Sequence, residues 1–262
     1  YFMLCFMNEK ELIEYYNKFN EDKRLNTKHA WIEYQTTLKY IHDYLNKGMN
    51  ILDVGAGTGK YAIYLADEGY DVSAVELVKH NLRVMESKTD KVKCFQGNAL
   101  DLSRFKDNSF SIVLLLGPMY HLISNEDKVK ALKEAKRVVK DGGYIFISYC
   151  MNEYAILKHG FIDGNIISAY ESKMIDDKFH ILSKSNDLYS FVRLEDINHY
   201  KDEVQLKRIK IVSQDGAAEY IKKEINKMDD KSLNLFLQYH LCNCERPELL
   251  GAGRHILDIL QK

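Results

Sequence analysis

Asn50-Ile51-Leu52-Asp53-Val54-Gly55-Ala56-Gly57-Thr58-Gly59-Lys60-Tyr61 is the stretch that decides the fold. Ile51 to Val54 is a short apolar run and reads as a buried strand. Three glycines on alternate positions then make a turn, and Tyr61-Ala62-Ile63-Tyr64-Leu65-Ala66 reads as the start of a helix. Strand, glycine turn and helix together form a nucleotide-binding corner. Glycine suits the turn because it accepts positive φ and has no Cβ to hold backbone N–H groups away from a ligand. The helix N-terminus behind the turn offers unpaired donors and a partial positive charge to an anionic group. The spacing narrows the ligand. The dinucleotide fingerprint is G-x-G-x-x-G, whereas here the third glycine comes one residue early and Lys60 takes the dinucleotide position. No G-x-x-x-x-G-K-[ST] phosphate loop occurs either.

Downstream, the chain alternates strands and helices. Tyr70 to Glu76 reads as a second strand ending in an acid. Glu76 lies about 20 residues beyond the glycine loop, where a Rossmann-like fold places a carboxylate to accept from ribose hydroxyls. Lys79 to Ser87 reads as a charged helix. Val92 to Gln96 is a third strand running into the loop Gly97-Asn98-Ala99-Leu100-Asp101-Leu102. Phe110 to Leu116 is an unbroken apolar run, as a central parallel strand buried on both faces requires. It ends in Gly117-Pro118-Met119-Tyr120-His121-Leu122. Glu126 to Val139 reads as a helix with Val129, Leu132, Ala135 and Val138 on one face, stopped by Asp141-Gly142-Gly143. Tyr144 to Tyr149 is then strand five.

Asp53-Val54-Gly55-Ala56-Gly57-Thr58-Gly59 closely resembles motif I of the class I S-adenosylmethionine-dependent methyltransferases. Arg137 to Gly143 resembles that family's Arg-Val-Leu-Lys-Pro-Gly-Gly turn, with Asp141 in place of proline. The resemblance covers residues 48 to 150 well and the remainder only by order of elements. It implies an α/β, Rossmann-like, seven-stranded and mostly parallel sheet whose last strand is antiparallel, with helices on both faces and S-adenosyl-L-methionine at the carboxyl ends of strands one to four. It implies cofactor contacts from Asp53, Gly55, Ala56 and Gly57, from Glu76 and Leu77, from Asn98 and Ala99 at the adenine, and from Leu116. Family members often carry Asp where Asn98 stands, and Asp101 is a rival for that contact. The strand-four loop sits at the family's motif IV position, beside the departing methyl. It lacks the Asn/Asp-Pro-Pro-aromatic tetrad of nucleic-acid amino methyltransferases. Gly-Pro-x-Tyr-His-Leu looks instead like a group of bacterial small-molecule methyltransferases.

At 262 residues the chain is long enough for one α/β domain with an insertion. A net charge of -1 gives no basic field for nucleic acid or an anionic membrane. The partner expected is a small-molecule methyl acceptor. The five scattered cysteines, Cys5, Cys94, Cys150, Cys242 and Cys244, argue against a disulfide framework and for a reducing cytoplasm. Cys242-x-Cys244 lacks a second ligand pair at metal spacing, so no metal is expected. Tyr1 to Met7 is too short for a signal segment. No run approaches a membrane span.

The whole chain, 1–262, reads as one methyltransferase domain. Residues 8–47 form an N-terminal helical cap, with Leu12, Ile13, Tyr16 and Phe19, then Trp31, Tyr34, Leu38, Ile41 and Leu45, at helical spacing. In the family such helices pack over the cofactor, which makes Tyr15 a cofactor contact and Tyr16, Arg24 and His29 candidates to touch cofactor or substrate. Residues 48–150 are the cofactor-binding core. Residues 151–190 break the alternation and read as a helical lid over the substrate pocket, carrying His159 and His180. Residues 191–262 complete the sheet: a helix from Leu194, an edge strand over Leu206–Ser213, two helices, the loop Glu245–Gly251 at a pocket edge, and a final strand from Arg254.

Methyl transfer from a sulfonium is an in-line displacement on a strong electrophile. Holding the reactants in line can lower the barrier by roughly 7–11 kcal/mol, and a general base adds about 10²–10⁴-fold. His121, next to the emerging methyl, is the first candidate base, and Tyr120 is placed to orient the acceptor. The expected activity is methyl transfer to an O or N nucleophile of a small molecule. The alternatives are a methyltransferase acting on RNA or protein, and a non-catalytic S-adenosylmethionine-binding protein.

Overall fold

The computed structural model describes residues 13–14, 27–184 and 187–262. Tyr15, Tyr16 and Arg24 lie outside the described residues, as does all but residues 13–14 of the first cap helix. The described chain begins with helix α1 (Lys28–His42), which ends before Leu45 and Gly48. It continues through β1 (Asn50–Val54), α2 (Lys60–Asp67), β2 (Asp71–Glu76), α3 (Lys79–Lys88), β3 (Val92–Gln96) and β4 (Phe110–Leu115). A single 3₁₀ turn, Pro118–Tyr120, leads to α4 (Asn125–Val138), whose Ser124 side chain accepts from the Asp127 amide and caps it.

β5 (Val139–Met151) follows α4 directly. The sequence reading stops a helix at Asp141-Gly142-Gly143 and starts the strand at Tyr144. The strand instead runs through both glycines. Gly143 lies so close to β4 that a Cβ would stand 2.7 Å from the Ser111 carbonyl oxygen, so the glycine pair permits close strand contact here.

The inserted segment is helical only in its first half: α5 (Asn152–Ala155), a π-helical stretch over Ile156–Ile162, and α6 (Ile166–Glu171). Among the described residues that follow, as far as 190, the chain is irregular apart from a bridge between Ile175 and Ile181. After it come the two-residue β6 (Phe191–Val192), α7 (Leu194–Val204), β7 (Lys207–Ser213), α8 (Lys222–Lys227), α9 (Asp230–Asn243) and β8 (His255–Gln261).

The sheet has eight strands in the order β3-β2-β1-β4-β5-β8-β7, with β6 paired beside β5. β8 runs antiparallel to both β5 and β7, and the other pairings are parallel. The expected seven strands are the main path; β6 adds the eighth. Alternate residues of each central strand enter opposite cores. Leu52, Val54, Val113 and Leu115 pack on the α4 and α7 side with Leu132 and Tyr200. Ile51, Ile112 and Leu114 pack on the α1, α2 and α3 side with Leu65 and Met85. Burial on both faces is why these strands read as unbroken apolar runs. The reversal at β1 and β4 opens a crevice at the carboxyl ends of the strands, where open α/β sheets bind ligands. Among the described residues no helix is long and apolar enough to cross a membrane.

Candidate functional site

The glycine loop sits at that crevice. The Gly55 amide donates to the Val75 carbonyl oxygen at 2.7 Å, turning the chain out of β1 over the end of β2. Gly55 has φ 74°, and a Cβ there would stand 2.7 Å from Cγ of Pro118. In return, a Cβ on Gly117 would stand 3.1 Å from the Gly55 carbonyl oxygen. The loop after β1 and the turn after β4 therefore touch, and side chains at those positions would hold them apart.

Glu76 is buried, and its two oxygens hold the loops on either side of it. Oε2 accepts from the Gly57 amide at 2.8 Å and Oε1 from the Val78 amide at 2.8 Å. Each carboxylate oxygen has a further lone pair, so a ribose hydroxyl would join bonds that already exist. Asp53, at the end of β1, is 2% exposed. Its Oδ2 is a buried atom with no hydrogen-bond partner. Burial, then the Glu76 charge, push the Asp53 carboxyl up to about 7, against the opposing pull of the Ala62 amide.

Two clefts open here. The first, about 130 Å³, is walled by the glycine loop, Asp53, Glu76 to Val78, Leu116 and the turn that carries Tyr120 and His121. The second, about 520 Å³, lies over Gly97 to Leu100, Leu122 to Ser124, Asp127 and Ser183. Gly55, Leu77, Pro118 and His121 line both, so the clefts share a wall. Asn98 and Ala99 belong to the second. Oδ1 of Asn98 accepts from the Leu100 amide at 3.0 Å and shapes its own turn. The rival Asp101 is exposed, turns its carboxylate to the Ser103 amide at 2.9 Å, and lines neither cleft.

The turn after β4 presents the two candidate catalytic residues. The His121 amide donates to the Pro118 carbonyl at 2.9 Å. Nδ1 of His121 stands 2.8 Å from the Leu188 carbonyl oxygen. A carbonyl only accepts, so Nδ1 carries the proton, and in the neutral ring Nε2 bears the lone pair. The Ser190 amide donates to the Tyr120 carbonyl at 2.7 Å, and the Tyr189 ring centroid is 5.2 Å from that of His121. The end of the inserted segment is thereby fastened to the turn, and Ser183 from the same segment reaches the second cleft.

The other histidines suggested by the sequence lie elsewhere. His29 faces Asn226, 3.0 Å from Nδ1, and Glu219, 3.4 Å from Nε2. His159 pairs with Asp163 at 3.2 Å and His180 with Asp196 at 3.4 Å. None lines either cleft, nor does the loop Glu245–Gly251. Tyr15 lies outside the described residues. The sequence reading missed Lys60, Asn81 and Ser183. Lys60, the first residue of α2, puts a cation beside the glycine loop, 5.2 Å from the Tyr34 ring centroid. Its place just after the third glycine is the signal that marks it.

The arrangement fits a nucleoside carrying a charged amino-acid tail. A glycine-rich loop whose only side chains are those of Ala56 and Thr58 borders the first cleft. Oδ2 of Asp53 is a buried carboxylate oxygen of the kind a positive group requires, and Lys60 and the α2 N-terminus border the same cleft with the charge a negative group requires.

Residues 52–147 match a family model described as a methyltransferase domain. Among curated relatives, the demethylmenaquinone methyltransferase of Bacillus licheniformis is 36% identical over 105 residues, covering 38% of this chain and 44% of that protein. That of Staphylococcus aureus is 36% identical over 107 residues, covering 38% and 43%. The chain thus spans less than half the length of the curated relatives it matches. Among solved structures, a Thermotoga maritima protein described as an SAM-dependent methyltransferase, possible histamine N-methyltransferase, superposes with a TM-score of 0.60 at 18% identity, covering 97% of this chain and all of that one (100%). A Methanosarcina mazei protein described as an SAM-dependent methyltransferase gives 0.56 at 17% identity, covering 85% and 96%. At such identities these two bear on the fold.

Proposed function

Residues 52–147 form a class I S-adenosylmethionine-dependent methyltransferase domain, and from that premise we propose that the chain methylates an oxygen or nitrogen nucleophile of a small molecule. The observation that carries the reading is the shared wall. His121 and Pro118 belong both to the cleft around the glycine loop and Glu76 and to the larger cleft beside it.

The cofactor supplies an activated methyl group on a sulfonium. The chain's own residues then do four things. The glycine loop, Lys60 and the start of α2 receive the carboxylate of the amino-acid tail, and Asp53 faces its ammonium. Glu76 accepts from the ribose, and the backbone at Asn98 and Ala99 meets the adenine. The Gly117–Tyr120 turn walls the point of transfer and fixes the acceptor in line, the source of roughly 7–11 kcal/mol. His121 takes the acceptor's proton at Nε2, adding about 10²–10⁴-fold for a nucleophile that must lose one.

The acceptor is set by the larger cleft. Its wall includes Ser183 of the insertion, beyond the residues matched by the family model. The experiment is calorimetric titration with S-adenosylmethionine and with NADH, followed by transfer of isotopically labelled methyl to a panel of acceptors. The panel includes demethylmenaquinone, from the name of the curated relatives, and histamine, from the description of the Thermotoga maritima protein as a possible histamine N-methyltransferase, with bulk RNA and protein as comparators. Binding of the sulfonium without the dinucleotide, and label on a small molecule, is the expected result. Label on RNA or protein alone, or binding with no transfer to any acceptor, would refute it.

A further inference from the structure

Three side chains that methyl transfer does not use converge behind Tyr120. Glu33 comes from α1, Asp215 from the turn after β7 and His255 from the first residue of β8. One ligand-competent atom of each lies within 4.8 Å of the others, and all three residues are buried. Nδ1 of His255 stands 2.8 Å from Oδ2 of Asp215 and 3.6 Å from Oε2 of Glu33. The amides of Arg254 and His255 donate to Oδ1 of Asp215 at 3.0 and 3.1 Å, which fixes that carboxylate. His255 pairs with Cys150 near the carboxyl end of β5. Its ring centroid is 6.2 Å from that of Tyr120. The cluster therefore sits at the cleft edge of the sheet, one ring behind the wall.

Two carboxylates this close repel each other, and burial makes their charge costly. The neighbouring Arg254 guanidinium pairs with Glu219 at 3.3 Å, where His29 and Lys222 also gather, and its charge acts on Glu33 and Asp215 as well. Two further buried polar atoms, on residues next in chain or space to those that carry the cluster, have no hydrogen-bond partner: Oγ1 of Thr36 and Nε2 of His240. Thr36 lies one helical turn after Glu33 on the buried face of α1. The adjacent Thr37 accepts from Gln214, the residue before Asp215, at 2.8 Å. The His240 ring lies against Gly216, where a Cβ would meet its Nδ1 at 2.9 Å. Orphaned buried polar atoms call for a ligand, either an ion or ordered water.

We propose that Glu33, Asp215 and His255 form a divalent transition-metal site that ties α1 to the cleft edge of the sheet. One imidazole nitrogen and two carboxylate oxygens are the donor set of zinc or manganese. They are too few oxygens for calcium and include no thiolate for a soft cation. Their two negative charges match a dication. Three protein ligands leave a position for water, and Oγ1 of Thr36 and Nε2 of His240 are the nearby polar atoms without a hydrogen-bond partner. Cys242-x-Cys244 takes no part: Cys242 is exposed, and Sγ of Cys244 lies 3.2 Å from the Tyr40 hydroxyl.

The test uses the full chain stripped of metal by a chelator, with Co²⁺ as probe. Trp31, the single tryptophan, lies two residues before Glu33 on α1, so its fluorescence reports a bound Co²⁺. The expected result is quenching that saturates at one equivalent, reversed by Zn²⁺, with visible absorption bands unlike those of aqueous Co²⁺. Glu33→Gln and Asp215→Asn should each weaken Co²⁺ by at least the roughly 10–100-fold that loss of an outer-sphere partner costs. Both should keep the far-ultraviolet circular dichroism and the cooperative unfolding transition of the unaltered chain, which shows that they fold. No saturable quenching and an unchanged Co²⁺ spectrum in the unaltered chain would overturn the proposal. So would unchanged affinity in Glu33→Gln. No readout depends on methyl transfer, so this inference and the function proposed above fail separately.

Discussion

The Gly57 amide donates to Oε2 of Glu76 across 2.8 Å, while the Val78 amide donates to the other oxygen. The carboxylate expected to meet the ribose is thus also the clamp that holds the glycine loop. Glu76→Ala removes both functions. It should weaken S-adenosylmethionine binding by about 1–3 kcal/mol, the cost of leaving buried donors unpaired, or roughly 5- to 150-fold. Glu76→Gln keeps one acceptor oxygen and should fall between the two. An unchanged dissociation constant for the alanine variant in calorimetry refutes both roles.

Gly57 has φ 58°, a conformation that a β-branched side chain adopts only under strain. Gly57→Val should displace the amide from Glu76 and abolish measurable cofactor binding. The cooperative unfolding transition should persist, because Gly57 belongs to neither core beside the sheet. Normal affinity in this variant would sink the assignment of the loop.

Asp53 gives the cofactor site a pH dependence. Its carboxyl is pushed up to about 7, first by burial and then by Glu76. An acid whose folded value lies above its unfolded one favours the folded state when protonated. That contribution is complete below about pH 4 and is lost as pH rises towards 7. Cofactor binding has the opposite sign, because the ammonium of the amino-acid tail favours ionised Asp53. Affinity for S-adenosylmethionine should rise with pH up to about 7 and then level off, with a proton released on binding at pH 6. Asp53→Asn should bind more weakly and lose that slope. Calorimetry in two buffers of different ionisation enthalpy counts the proton, and the same slope in the asparagine variant would disprove the coupling.

His121 anchors residue 188 and lines both clefts, and two substitutions separate these roles. Asparagine carries an N–H near the place of Nδ1 and can keep the bond to the Leu188 carbonyl, but it has no basic nitrogen. His121→Ala and His121→Asn should both lower kcat by about 10²–10⁴-fold, with cofactor affinity unchanged. If His121→Asn keeps the full rate and His121→Ala does not, the residue acts by positioning the inserted segment. Full activity in both leaves alignment alone as the mechanism.

The order of the central strands was legible because each is buried on both faces and so reads as an unbroken apolar run; Ile112 to Leu115 is the clearest case. The glycine loop was legible because its chemistry is local. Gly142-Gly143 was misread because the pair resembles a helix stop, whereas the space it provides is needed only against Ser111 of the neighbouring strand. The clamp between Glu76 and Gly57 and the anchor between His121 and Leu188 join residues whose approach is set by tertiary packing. The same holds for Glu33, Asp215 and His255, which come from three separate elements. His121 ranked first in the sequence by its place in the strand-four loop, and the fold sets His29, His159 and His180 away from both clefts.

Asp258 is a further buried acid that the pattern His255-Ile256-Leu257-Asp258-Ile259-Leu260 conceals in an apolar strand. It is 0% exposed, and Arg208 on β7 meets it with Nε and Nη2 at 2.6 and 2.8 Å from its two oxygens. Burial still holds the Asp258 carboxyl above its ordinary value, because the loss of solvent outweighs the guanidinium. Removing the cation alone leaves an uncompensated buried carboxylate, so Arg208→Leu should cost about 3–5 kcal/mol in denaturant unfolding. Replacing both residues by leucine should recover most of that loss, since a well-packed apolar pair often equals a buried ion pair. Such recovery would show that the pair costs as much in desolvation as its attraction returns. If the double variant is no more stable than Arg208→Leu, the loss lies in strand packing rather than in the stranded charge.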